Sequence, residues 1–216
     1  MGGKGKGARG KLIVLEGVDG AGTTTQKAKI VEWLRERGEH VHGTNEPSDG
    51  PIGAMIRQIL RGRLVASTGE GKASPIDPAA VALLFAADRL DHVKNEILPA
   101  LERGYHVVCD RYVVSSLAYQ GLDTDLRFVR QINDKALAPD LTIFIDVPAD
   151  IAMARIEATR VGRDSFEKLA IQKRVAQAYK EILADWRGGR VITVDGTAPI
   201  HTVTRDVRQA LESLLG

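Results

Sequence analysis

The sequence predicts an α/β fold in which a parallel sheet carries helices on both faces. Three observations carry that expectation. Short apolar runs alternate with helically patterned stretches along the whole chain. The runs are nearly continuous in valine, isoleucine and leucine, as strands covered on two faces require. A glycine-rich segment, EGVDGAGTTTQ over residues 16–26, lies between the first run and the first helical stretch. It has the spacing of a phosphate-binding loop, G-x-x-x-x-G-K-[ST]. The expected sheet is therefore of the P-loop NTPase type, with five parallel strands and a mobile lid.

Residues 12–15 read as the first strand. A helix over 24–37 follows, because Ala28, Val31 and Leu34 share a face and Gly38 stops it. A second strand is expected at 41–44 and a helix at 51–60, with Pro51 in its first turn. Residues 61–76 read as a loop. Asp77 can cap a long helix starting at Pro78, in which Leu83, Ala87, Leu90, Val93 and Ile97 keep helical spacing until Pro99 interrupts. The third strand, 107–109, ends in Asp110, and helical segments follow at 115–119 and 126–137. The fourth, 141–145, ends in Asp146, and a helix over 149–158 leads into the charged stretch TRVGRDS. A helix at 166–183, a strand at 191–194 and a helix at 200–214 complete the pattern. Ligands of such folds sit beyond the carboxyl ends of strands, where the glycine-rich loop, Asp110, Asp146 and Asp195 all fall.

The bulk numbers narrow the function classes. The chain has 216 residues and is 44% hydrophobic, enough for one domain with a sizeable core. Its 30 basic and 28 acidic residues give a net charge of +2, which offers no argument for nucleic acid or an anionic membrane. No apolar run approaches the roughly 20 residues that span a bilayer. The lone Cys109 excludes an internal disulfide and fits a reducing cytoplasm. Residues 1–10 are glycine-rich and basic, without the apolar segment of a signal peptide, and are expected to be a disordered leader to one domain over 11–216. None of the five histidines joins cysteines or carboxylates at a zinc-like spacing.

In the loop, Gly17, Gly20 and Gly22 permit the tight turn that brings backbone N–H groups close to an anion. ATP phosphates are the expected ligand of Gly17, Val18, Asp19, Gly20, Ala21, Gly22, Thr23, Thr24 and Thr25, with the Thr24 hydroxyl on Mg²⁺. Taken alone, the segment also fits an ordinary glycine-rich turn. Other patterns add to it. Phe85 and Arg89 share a helix face, as do Ser116, Tyr119 and Gln120. An aromatic plate beside hydrogen-bonding groups suits a planar polar base. Asp110 and Arg111, at a strand end, pair an acid for a metal with a fork-shaped cation for phosphate.

Together the segments LIVLEGVDGAGTTTQ, NEPSDGPIGAMIRQIL, LLFAADRLDHV, CDRYVVSSLAYQG and APDLTIFIDVP resemble the thymidylate (dTMP) kinases, in the family's order and over roughly residues 11–180. The resemblance implies a kinase that moves the γ-phosphate of ATP onto dTMP, giving dTDP and ADP, with Mg²⁺ as cofactor, in a cytoplasmic homodimer. Carried over, Asp19 holds the sugar 3′-hydroxyl, Phe85 stacks on thymine and Arg89 bonds a base carbonyl. Asp110 holds Mg²⁺ and Arg111 grips the dTMP phosphate, with Arg57 assisting. Tyr112 lines the sugar site, Ser116, Tyr119 and Gln120 flank base and deoxyribose, and Glu46 and Pro47 belong to the acceptor side. Asp146 also ends a strand and is a rival metal acid.

The chain departs from the family at three places. Thr23 stands where the P-loop lysine belongs. Asn45 replaces the arginine of the family's R-E-P triplet, leaving Asn45-Glu46-Pro47. In the lid, near 159–166, Ser165 occupies the position of an arginine, between Asp164 and Glu167. A hydrogen bond to a charged group contributes about 1.5–3 kcal/mol, so losing the lysine alone slows transfer by roughly 10- to 150-fold. Arg163, with Arg155 and Arg160 nearby, is the expected replacement cation. Two alternatives remain open at this point: a related kinase with another nucleotide or nucleoside acceptor, and a non-catalytic nucleotide-binding protein.

Overall fold

The computed structural model of the chain describes residues 9–158 and 165–216. Five parallel strands form its central sheet: β1 (Leu12–Glu16), β2 (Val41–Asn45), β5 (His106–Asp110), β6 (Leu141–Asp146) and β7 (Val191–Asp195). Their order is β2-β5-β1-β6-β7. The chain leaves β1 for one edge, returns through β5, and crosses to β6 on the far side. The carboxyl ends of β1 and β5 therefore meet at the centre of one sheet end. All of β1 is buried, as a central parallel strand should be. Its side chains alternate between two cores: Ile13 and Leu15 pack on one face with Val108 and Ile143, and Leu12 and Val14 on the other with Val107 and Ile97.

The helices are α1 (Thr23–Glu36), α2 (Pro51–Leu60), α3 (Pro78–His92), α4 (Leu98–Glu102), α5 (Val113–Asp123), α6 (Leu126–Ile132), α7 (Ala149–Glu157), α8 (Ser165–Ala184) and α9 (Ile200–Leu215). Most bounds lie within a residue or two of the expected ones. Asp77 caps α3 as its sequence suggests, accepting from the N–H groups of Ala79 and Ala80 at 2.9 and 3.1 Å.

Four expectations are corrected. Pro99 does not break the helix: a π-helical turn, Val93–Ile97, joins α3 to α4. Its wider winding relieves the clash and lost hydrogen bond that a proline imposes on a tight turn. Residues 61–76 are not all loop, since β3 (Ala66–Ser67) pairs antiparallel with β4 (Ala73–Ser74). Helix α6 ends at Ile132, five residues early, because Asn133 turns inward to Arg89. The leader is not free up to residue 10. Gly10 N donates to Leu101 O at 2.9 Å, Arg9 pairs with Asp140 at 3.6 Å, and residues 1–8 lie outside the described ones. On α3 the apolar Leu83, Ala87 and Leu90 do not face the core. They are exposed, and Ala82, Ala86, Asp88 and Arg89 point inward instead.

Candidate active site

The loop between β1 and α1 places its glycines where other side chains would fail. Gly20 has φ +84, and a Cβ there would lie 2.3 Å from Ala152 O. Gly22, at φ +94, precedes α1 and opens the N-terminal N–H groups of that helix. Thr24 and Thr25 are exposed on the first turn, whereas Thr23 is buried, with its methyl against Gly17. Thr23 therefore faces the protein rather than the phosphate side.

Thr24 and Asp110 are brought together. The Thr24 hydroxyl donates to Asp110 Oδ2 at 2.5 Å, and the buried Oδ1 has no hydrogen-bond partner among the described residues. An orphaned carboxylate oxygen beside a hydroxyl, at the mouth of a phosphate loop, fits a hard divalent cation such as Mg²⁺. The rival, Asp146, is drawn elsewhere and pairs with Lys180 at 3.2 Å.

One residue on, the chain turns sharply. Arg111 has φ 70, in the left-handed region. That turn aims its guanidinium back at the P-loop, 2.6 Å from Asp19 Oδ1 and over the ring of Tyr119, 5.1 Å from the centroid. The Tyr119 hydroxyl accepts from Asp19 N at 3.1 Å, and Gln172 reaches the second oxygen of Asp19 at 3.4 Å.

These groups form one wall of a cavity of about 230 Å³. Every expected acceptor-side residue except Arg57 lines it: Asp19, Glu46, Pro47, Phe85, Arg89, Arg111, Tyr112, Ser116, Tyr119 and Gln120. Arg57 stands behind, donating to the carbonyls of Pro47 and Ser48. It buttresses the turn that follows β2, as does Asn45, whose amide donates to Pro47 O at 2.9 Å. Asp88 holds the same turn from α3, accepting from Ser48 N and Oγ at 2.7 and 2.6 Å.

Arg89 is not a surface arm. It is 1% exposed and forms the cavity floor. Its Nε donates to Glu46 at 2.8 Å, Nη1 to Asn133, and Nη2 to Tyr112 O at 3.2 Å and Ser116 Oγ at 3.0 Å. Of the five donors of a guanidinium, these bonds use four, leaving one Nη1–H over among the described residues. Glu46 is held in turn by His92 Nδ1 at 3.3 Å. Glu46 keeps His92 raised above the usual imidazole range against the opposing effect of burial, the largest single influence. Gln120 Oε1 is buried with no partner among the described residues, on the wall of the same cavity.

A second cavity, of about 400 Å³, opens on the other side of the loop. Gly20, Gly22 and Thr25 line it, together with Arg155, named from the sequence only as a neighbour of the expected lid cation, and with residues the sequence did not nominate: Gly196, Ala198 and Ile200. Arg155 Nη2 donates to Gly196 O at 2.8 Å. The signal for this side was the turn at the end of β7, where Asp195 accepts from Thr197 N and Oγ1 at 2.8 and 2.6 Å. Arg163, Arg160 and Asp164 lie outside the described residues. Among the described residues no group of three or more metal-ligating His, Cys, Asp or Glu side chains occurs.

Comparison with known proteins bears on the whole arrangement. The sequence profile of the family described as Thymidylate kinase matches residues 15–207. A relative from Pyrococcus abyssi, named a probable thymidylate kinase, is 42% identical over 201 residues, covering 92% of this chain and 94% of its own. One from Pyrococcus horikoshii, named likewise, is 44% identical with the same coverage. A thymidylate kinase of Trichormus variabilis is 38% identical over 209 residues, covering 94% and 95%.

Proposed function

The chain belongs to the thymidylate kinase family, and from that premise we propose how its residues divide the work. It is an ATP-dependent kinase that phosphorylates dTMP to dTDP. Another acceptor, or a non-catalytic role, is disfavoured by relatives that span nearly the full chain. The observation that carries the division of labour is the end of β5. Asp110 joins Thr24 at the first turn of α1, and Arg111 joins Asp19 on the wall of the acceptor cavity, so adjacent residues serve the P-loop and the acceptor site.

On the donor side, the N–H groups of residues 17–25 receive the ATP phosphates. The second cavity takes the adenosine, with Arg155 at its wall. Thr24 and Asp110 would hold Mg²⁺, which supplies charge neutralisation to the transferring phosphate. On the acceptor side, Phe85 offers its ring to thymine. Gln120 Oε1 is an acceptor for the ring N–H, and the spare Nη1–H of Arg89 is a donor for a base carbonyl. Asp19 takes the sugar hydroxyl, Tyr112, Ser116 and Tyr119 flank the sugar, and Arg111 takes the phosphate. Glu46 and Pro47 shape the cavity, with Arg57 behind them.

Thr23 leaves the β- and γ-phosphates without the usual cation, and Arg163 is the candidate to replace it. The test is ADP formation with ATP, Mg²⁺ and dTMP, with dUMP, dCMP and thymidine in parallel. Turnover is expected to select dTMP, and Arg163→Ala to lower kcat about tenfold or more. Full activity of that variant would end the candidacy of Arg163, and no turnover with any acceptor would end the assignment of roles.

The exposed stripe of Leu83, Ala87 and Leu90 on α3 supports a homodimer built on that helix. A monomeric mass by light scattering at micromolar concentration would remove this reading. A cytoplasmic setting agrees with the single thiol, Cys109, which is buried. Among the described residues no helix is long and apolar enough to cross a membrane.

A further inference from the structure

We propose that Glu16 is a positioning residue for the acceptor phosphate, acting through Ser115 and Tyr179 on the Arg111 guanidinium. The inference rests on the reading of Arg111 as the cation that receives that phosphate.

Glu16 ends β1, directly before the P-loop, and is fully buried. Its Oε1 accepts from the backbone N–H groups of Tyr112 at 2.9 Å and Ser115 at 3.2 Å. Its Oε2 accepts from the hydroxyls of Ser115 at 2.5 Å and Tyr179 at 3.0 Å. Those two hydroxyl oxygens lie 2.7 Å apart. Each also accepts from Arg111 Nη1, at 3.3 and 3.5 Å. The path from carboxylate to guanidinium therefore crosses only two hydroxyls, one on α5 and one on α8.

The direction of these bonds is set by chemistry. A carboxylate can only accept, whereas a hydroxyl has one proton and two lone pairs. Glu16 draws the hydroxyl protons toward itself and leaves the lone pairs for Arg111. The same carboxylate pins the N–H of Tyr112, immediately after the left-handed residue Arg111. It thus holds both the backbone turn and the side chain that the turn aims.

Stability does not account for an acid here. Burial pushes the Glu16 carboxyl above its usual range, against the opposing pull of Ser115, Arg111 and Tyr179. A raised carboxyl binds its proton more tightly in the folded chain than in the unfolded one. Ionised Glu16 therefore weakens the fold as pH rises through that window. A neutral isostere would avoid this cost.

Glu16→Gln separates the two roles. The amide fits the same space and can donate to Ser115 and Tyr179. Each hydroxyl then gives one lone pair to the amide, and its proton, no longer drawn to a carboxylate, is free to turn toward the cation. Steady-state kinetics with dTMP varied are expected to show KM raised about tenfold. KM for ATP should stay within about twofold, and Tm should not fall. In an Arg111→Met background, Glu16→Gln should add less than about twofold, because the positioned group is gone. Tyr179→Phe keeps the ring stacked on Phe144 at 5.2 Å and should raise dTMP KM by less than Glu16→Gln does. An unchanged dTMP KM in Glu16→Gln, or effects that multiply fully with those of Arg111→Met, would overturn the proposal. If Glu16→Gln does not fold, the cycle of Tyr179→Phe with Arg111→Met decides in the same way. An unchanged dTMP KM in Arg111→Met alone would instead strike down the reading of Arg111, and the proposal with it.

Discussion

Asp110→Ala is expected to lower kcat for dTDP formation about a thousandfold while leaving Tm unchanged or slightly higher. The carboxylate stands 6% exposed at the end of β5, with one oxygen on Thr24 and the other unpartnered among the described residues. For the fold this is a poor arrangement, since a buried polar atom without a partner costs about 1–3 kcal/mol. For phosphoryl transfer it is a good one, because a fixed negative group beside a hydroxyl can hold Mg²⁺ where charge develops. Removing it should therefore separate activity from stability. Thermal melts and initial rates across a Mg²⁺ titration, on the same preparations, make the comparison. A variant within about threefold of the parent rate would remove Asp110 from the chemistry. A large fall in Tm would recast it as structural.

Asp110 was legible because it closes an apolar run, and a strand's carboxyl end is where such folds bind ligands. Thr24 was legible from its spacing to Gly17 and Gly22. The function of Arg89 was only half legible. Its four-residue spacing from Phe85 places both on one side of α3, but the sequence does not say that this side faces inward. Leu83, Ala87 and Leu90 mark the opposite side as the apolar one, and the usual rule would bury it. The rule fails because Glu46, Asn133, Tyr112 and Ser116 converge on the guanidinium from up to 44 residues away. A fully partnered cation can be buried where an unpartnered one cannot.

Glu16 was not legible for a related reason. An acid between an apolar strand and a glycine loop reads as the polar end of the strand. Its role depends on Ser115 and Tyr179, 99 and 163 residues distant. Arg155 and Gly196 likewise meet only when β7 packs beside β6. Motif spacing reports local geometry well. Groups assembled across the sheet leave no spacing to read.

Arg111 allows a prediction in which backbone and side chain act in opposite directions. Arg111→Met should lower kcat/KM for dTMP about a thousandfold and leave KM for ATP within about twofold, since a charge-assisted phosphate contact is lost only on the acceptor side. Arg111→Ala and Arg111→Gly should be as inactive as Arg111→Met. They should differ in stability, in the reverse of the usual order. At φ 70, a residue with a Cβ carries about 1–2 kcal/mol of strain that glycine does not. Arg111→Gly is therefore expected to melt above Arg111→Ala. The ion pair lost in both is with a half-exposed Asp19, at 57% side-chain exposure, and contributes little. Equal or inverted melting points would mean that the left-handed turn is not strained. A kcat/KM within about tenfold of the parent in all three would mean that the phosphate is held by another cation. The strain has a use only if the first prediction holds. The left-handed residue is the one whose side chain must leave the sheet end and turn back over the P-loop, and Glu16 secures the N–H that follows it.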